Sequence, residues 1–283
     1  MVRKKQSNRL TDQHKESKGV EGIFGKNARR HDLSVGDISI LVLKKLEEKY
    51  NTLKFRHRNK LSKKEVNGAL KKIDSYLGQS LFYKTAHIKP DGGLIEVRDD
   101  NDNWRVVLVS EAKYQGKDIH NIKAGKLVGK KNDQDIMAAG NAIERSHKNI
   151  SEIANYMLTE PHFPYVIFLE GSNFLTKTIE VKRPDNRIVT LRYDSGQLNR
   201  LDRLSAANYG MPFNENLCEN RSVSYDDKSV MLQAASMYTT GDGSRWDPEE
   251  MFKIMLDIAE TSLRLLAKDI FTQITYKNEM DKM

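Results

Sequence analysis

The chain has 283 residues, 38% of them apolar and 30% charged, with 47 Lys plus Arg against 39 Asp plus Glu, a formal charge of +8 and a pI near 9.3. A single cysteine, Cys218, excludes a disulfide framework and every multi-cysteine zinc site, and no apolar run approaches the roughly 20 residues of a membrane-spanning helix. The expectation is a soluble, cytoplasmic globular protein whose basic excess leans toward a polyanionic partner, because each phosphate neutralised releases counterions; a solvated surface of both signs is the alternative.

Residues 1–20 carry Arg3, Lys4, Lys5, Arg9, Lys15 and Lys18 with almost nothing to bury, and read as a mobile basic arm. From Val35 to Lys49, Ile38, Leu41, Val42 and Leu46 recur at helical spacing, and a second helix is expected over Lys63 to Leu77. Leu94, Ile95 and Val97, the polar run Asp99 to Asn103 and the apolar stretch Trp104 to Val109 predict a β-hairpin. Its second strand is apolar at odd and even positions, so both faces should be covered. Asp135 to Leu158 is the clearest helical pattern, with Ile136, Ala139, Ile143, Ile150, Ala154 and Met157 on one face. Pro161 and Pro164 end it and Tyr165 to Leu169 follows as a short buried strand. A hairpin is expected over Ile179 to Tyr193, and a short helix near Gln197 to Asn208. Asp247 caps a long final helix with Pro248 at its first position and Met251, Met255, Ile258, Leu263 and Leu266 facing inward. Strands alternating with helices indicate an α/β or α+β chain, read as one domain over 21–275 between the arm and a tail at 276–283.

The hairpin carries the first chemical constellation. Asp91 and Glu111 each stand ten positions from Asn101, so antiparallel pairing about that residue would set them opposite one another at ~4.5–5.5 Å. Lys113 is two residues past Glu111 and shares its face. Two carboxylates and an ammonium at the end of a buried strand suit Mg²⁺, which takes hard oxygens, waters and a substrate phosphate. The fitting chemistry is phosphodiester hydrolysis, with a metal polarising the phosphate and activating water and Lys113 orienting that water or stabilising the transition-state charge. The plain alternative is a surface ion pair beside a Pro-Asp-Gly turn.

The helix from Asp135 carries a second. At 100° per residue Met137, Asn141, Glu144, Arg145 and Lys148 fall on one stripe. Asn, Arg and carboxylate groups can read base edges in a major groove; taken alone, the stripe reads first as a solvated face with Glu144 and Lys148 at i,i+4. Arg200 and Arg203 are open to the same two readings. The Gly125 to Lys131 segment is one residue short of a phosphate loop and lacks its Ser/Thr.

Ile88-Lys89-Pro90-Asp91-Gly92-Gly93, Glu111-Ala112-Lys113 with Gln115-Gly116-Lys117-Asp118, and the runs Met137 to Asn149, Phe168 to Leu175 and Leu198 to Leu204 together resemble the EcoRI family of type II restriction endonucleases, within the PD-(D/E)xK nuclease superfamily. The likeness spans nearly the whole chain. It implies a mixed five-stranded sheet between helices, with arms around DNA. It also implies a homodimer that cuts duplex DNA at the palindrome GAATTC after the G, leaving 5′ overhangs. Asp91 and Glu111 would hold Mg²⁺ and Lys113 would be the catalytic lysine. Met137, Ala138, Asn141, Ala142, Glu144 and Arg145, with Arg200 and Arg203, would contact bases. Lys89, Gln115, Gly116, Lys117, Lys148 and Asn149 would lie along the phosphate backbone. A methyltransferase protecting the same sites is expected in the host. One departure stands beside the catalytic lysine, where the family has a histidine and this chain has Tyr114. The alternatives are another nuclease of the superfamily, such as a resolvase or a nicking repair enzyme, and a non-catalytic sequence-specific DNA-binding protein.

Overall fold

The computed structural model describes residues 26–79, 85–129, 131–136, 143–194 and 200–280. In chain order the elements are α1 (Lys26–Lys49), β1 (Phe55–Arg58), β2 (Leu61–Ser62), α2 (Lys63–Ile73), β3 (His87–Ile88), β4 (Gly93–Arg98), β5 (Trp104–Tyr114), α3 (Asp118–Lys123), α4 (Ile143–Tyr156), β6 (Tyr165–Glu170), β7 (Ile179–Lys182), β8 (Ile188–Leu191), α5 (Leu201–Ala207), β9 (Arg221–Tyr225), β10 (Lys228–Leu232), β11 (Ser236–Thr239) and α6 (Pro248–Met280). The basic arm of residues 1–20 lies outside the described residues. No described helix is long and apolar enough to cross a membrane.

Five strands form one mixed sheet in the order β1-β4-β5-β6-β11. The pairs β1–β4 and β4–β5 are antiparallel, whereas β5–β6 and β6–β11 are parallel. The parallel pair β5–β6 requires a crossover, and α4 lies within it. Side chains alternate across β6: Val166 and Phe168 join Val35, Val42 and Leu46 of α1 and Met251, Met255 and Ile258 of α6. Tyr165, Ile167 and Leu169 join Ile150 and Ile153 of α4, and Met157 just past its end, in the opposite layer. The sheet is therefore covered on both faces, as the continuous burial of Val106 through Ala112 in β5 requires.

A β-bulge in β5 decides which layer receives the acidic strand end. Ile95 pairs with Leu108 but Glu96 pairs with Val106, leaving Val107 as the extra residue. Val107 and Leu108 consequently both face the α1–α6 layer, and the alternation after them is reversed. Glu111 and Lys113 are thereby turned toward α4 instead of into the α1–α6 core. Pairing about Asn101 holds only between the turn and the bulge. Beyond it the register moves by one, so Asp91 meets Ala112 and not Glu111 directly.

Three boundaries differ from the sequence reading. β5 continues past Val109 to Tyr114, carrying Glu111 and Lys113 within the strand. α2 stops at Ile73, since the Asp74 carboxylate accepts the Tyr76 amide at 2.7 Å and begins a turn. The pattern from Asp135 is not helical at its start: Asp135 and Ile136 lie in a bend. Arg183 draws Asp135 to 2.5 Å, and Ile136 packs with Ile122, Leu175, Val181 and Leu191, the small core under β7 and β8. The apolar period runs through Ile136 because two different cores use adjacent segments.

Candidate active site

The turn Pro90-Asp91-Gly92-Gly93 closes with the Gly93 amide donating to Pro90 O at 3.1 Å, while the Gly92 amide donates to Ser110 O at 2.9 Å. Gly92 has no room for a side chain, because a Cβ there would fall 2.1 Å from Ser110 Oγ; Gly93 adopts φ +74° against the Arg58 carbonyl. This tight seat delivers the Asp91 carboxylate to the end of β5, where Oδ2 accepts the Ala112 amide at 3.2 Å. Lys113 Nζ lies 2.5 Å from Glu111 Oε1, 3.5 Å from Asp91 Oδ2 and 3.1 Å from Ala112 O. Asp91, Glu111 and Lys113 are thus brought together, even though Asp91 stands outside the ladder.

Burial divides the three. The Glu111 side chain is 1% exposed, against 20% for Lys113 and 26% for Asp91. Glu111 is held from inside, whereas the other two form the open side, where a phosphate can approach. Asn149 on α4 donates from Nδ2 to both Glu111 oxygens, at 3.3 and 3.2 Å. Tyr165, the first residue of β6, donates its hydroxyl to Glu111 Oε2. Burial, and then the negative charge of Glu111, push the Tyr165 phenol well above its ordinary value, so it is a neutral donor.

The donor set fits a hard divalent cation. Two carboxylate oxygens and one carbonyl converge on a single point, and the ammonium of Lys113 stands there as a monovalent stand-in. Among the described residues no group of three or more His, Cys, Asp and Glu side chains is placed to hold a metal. A cation held by Asp91 and Glu111 would complete its shell with waters and a substrate oxygen.

The family model described as Restriction endonuclease EcoRI matches residues 17–273. The chain belongs to the EcoRI restriction endonuclease family. It is 65% identical to the type II restriction enzyme EcoRI of Escherichia coli over 277 residues, which cover 98% of this chain and 100% of that one. It is 49% identical to the type II restriction enzyme RsrI of Cereibacter sphaeroides over 267 residues, covering 94% of this chain and 96% of the relative. A mixed five-stranded sheet between helices agrees with the fold of this family.

The other residues that the family resemblance singles out fall in several places. Met137, Ala138, Asn141 and Ala142 lie outside the described residues. Glu144 and Arg145 fall on the first turn of α4, with their side chains outside the description. Arg200 sits at the N-terminal cap of α5, its amide donating to Asn173 O at 3.0 Å, and Arg203 is exposed on α5. Lys89 and Lys148 are exposed, the latter 4.0 Å from Glu152. Gln115 and Lys117 are buried. Gly116 between them, at φ +89°, crosses Asn173 so closely that a Cβ would lie 1.9 Å from its Oδ1. Asn149, expected along the phosphate backbone, is committed to Glu111. Tyr165 carried no functional expectation at all, because its partner is set by a parallel register that no local pattern announces.

Proposed function

We propose that this member of the family is a type II site-specific deoxyribonuclease that hydrolyses duplex DNA at GAATTC, after the G, using Mg²⁺ held by Asp91 and Glu111. The observation that carries the proposal is the meeting of Asp91 Oδ2, Glu111 Oε1 and Lys113 Nζ at one strand end, with the ammonium 2.5 and 3.5 Å from the two acids. Bound there, Mg²⁺ would supply Lewis acidity toward the scissile phosphate and a more acidic water. Asp91 and Glu111 hold the charge that this cation balances. Lys113, on the open side, orients the attacking water or hydrogen-bonds the phosphate oxygen on which charge accumulates. Arg145, Arg200 and Arg203, with Asn141 and Glu144, read base edges, and Lys89 and Lys148 meet the backbone phosphates. A homodimer suits a palindrome because each active site then cuts one strand of a two-fold symmetric duplex. In its host the enzyme works beside a methyltransferase that protects the same sequence.

Digestion of a sequenced plasmid with and without Mg²⁺, followed by mapping of the ends, tests this reading. Discrete fragments that all begin at the cut within GAATTC, and none when the metal is chelated, are expected. Ends at another sequence would overturn the specificity, and binding without cutting would overturn the enzyme.

A further inference from the structure

Glu111 is a nearly buried carboxylate whose two oxygens face different surroundings. Oε1 is turned to Lys113 and the open side of the site, whereas Oε2 receives the Tyr165 hydroxyl from within the protein. The Asn149 amide cannot distinguish the two oxygens, since it lies 3.3 Å from one and 3.2 Å from the other. A donor shared so evenly does not fix the rotation of the carboxyl group about its last bond. Tyr165 does, because its hydroxyl bonds Oε2 and leaves Oε1 aimed outward.

The phenol is itself immobile. Its side chain is fully buried, its ring stacks on Phe163 with centroids 5.6 Å apart at 25°, and it opens a strand whose next four residues, Val166 to Leu169, are apolar and buried. A phenylalanine would fill the same core space, so the hydroxyl is the part of Tyr165 that packing does not require. Parallel pairing sets Val109 against Tyr165 and Glu111 against Ile167, which puts the phenol one diagonal step from Glu111 on the same face.

We infer that Tyr165 is a positioning residue for the metal-binding carboxylate: its hydroxyl fixes Glu111 so that Oε1 is presented to the divalent cation. This inference rests on the function proposed above. Partners that orient a ligating carboxylate from behind are worth about 10–100-fold in metal affinity. Losing this one would leave a buried carboxylate oxygen with a single shared donor.

The test compares the full-length wild type with Tyr165→Phe. Ca²⁺, which takes oxygen ligands, is titrated calorimetrically into each protein bound to a GAATTC duplex, and the Mg²⁺ dependence of cleavage is measured in parallel. Tyr165→Phe should weaken Ca²⁺ binding and raise the half-saturating Mg²⁺ concentration by about 10–100-fold. Affinity for the duplex without metal should stay within about twofold of wild type, and most of kcat should return at saturating Mg²⁺. Tyr238→Phe, which removes a phenol hydroxyl from the opposite core layer, should shift neither metal curve. Coincident curves for Tyr165→Phe and wild type would overturn the inference. Should that variant not fold, Asn149→Ala keeps the inference testable: with Tyr165 still holding Oε2, Ca²⁺ binding should stay within about twofold of wild type, and a loss of about 10–100-fold would overturn the inference. A wild type that binds no metal and cuts no DNA would refute the active site itself, a result distinct from either of these.

Discussion

At the scale of single residues, the site depends on an asymmetry of burial between its two acids. Glu111 is nearly inaccessible, with Tyr165, Asn149 and Lys113 around it, while Asp91 stands on a turn at the edge. A buried ion pair is held together by the absence of water, so removing one charge leaves its partner uncompensated. Glu111→Gln keeps the shape and deletes the charge. It should lower the cleavage rate by roughly a thousandfold or more, equivalent to about 4 kcal/mol of transition-state stabilisation, while affinity for a GAATTC duplex without metal changes little. Single-turnover cleavage and a filter-binding titration measure the two quantities. Cleavage at the wild-type rate would remove Glu111 from the site. Both acids and the lysine were picked out by residue type and spacing, a pattern common by chance that gained weight only from its place on a buried hairpin. Tyr165 and the Asn149 contact were not, since an aromatic at a strand start and an Asn on a helix are ordinary by themselves.

At the scale of elements, the bulge at Val107 turns Glu111 and Lys113 to the α4 layer, and its neighbourhood is pinned by a buried histidine. His162 Nε2 donates to the carbonyl of Val106 at 2.9 Å, immediately before the extra residue. Burial lowers the His162 pKa below its ordinary 6.5, so the folded protein keeps the ring neutral. The unfolded chain therefore takes up this proton first, and the linked stability falls as pH drops below about 6.5. Between pH 7.5 and 5.5 the wild type should lose more stability than His162→Gln, in which this titration is absent. Urea unfolding of both proteins at the two pH values gives the difference, and parallel losses would contradict a neutral folded ring. The hairpin β4–β5, the strand β6 and the inward face of α6 were legible because their signals are local: period, turn residues and a Pro after a capping Asp. The bulge was not, because deciding which residue is left unpaired requires the packing of both layers. Nor was β11, four buried residues whose strand character comes from pairing with β6. β9 and β10 lack any buried face to pattern, being exposed along almost their whole length. The start of α4 was misplaced because Ile136 serves the core under β7 and β8 while keeping the helical period.

For the whole molecule, a mixed sheet covered by α1 and α6 on one side and by α4 on the other leaves the C-terminal end of β5 as the place where chemistry can meet solvent. The antiparallel half of the sheet supplies Asp91 through the β3–β4 turn, and the parallel half supplies Tyr165. The crossover between them carries Asn149 on the same helix whose first turn includes Glu144 and Arg145. One helix thus joins Glu111, the proposed metal ligand, to the segment proposed to read bases. Asp91 and Glu111 are proposed to share a divalent cation beside Lys113. Crystals of the full-length protein with a GAATTC duplex, soaked in Mn²⁺ and measured at the manganese absorption edge, test it directly. An anomalous peak is expected within about 2.0–2.4 Å of one oxygen from each carboxylate, with Lys113 Nζ moved off that point toward the scissile phosphate. Manganese bound elsewhere, with Asp91 and Glu111 still closed on the lysine, would contradict it.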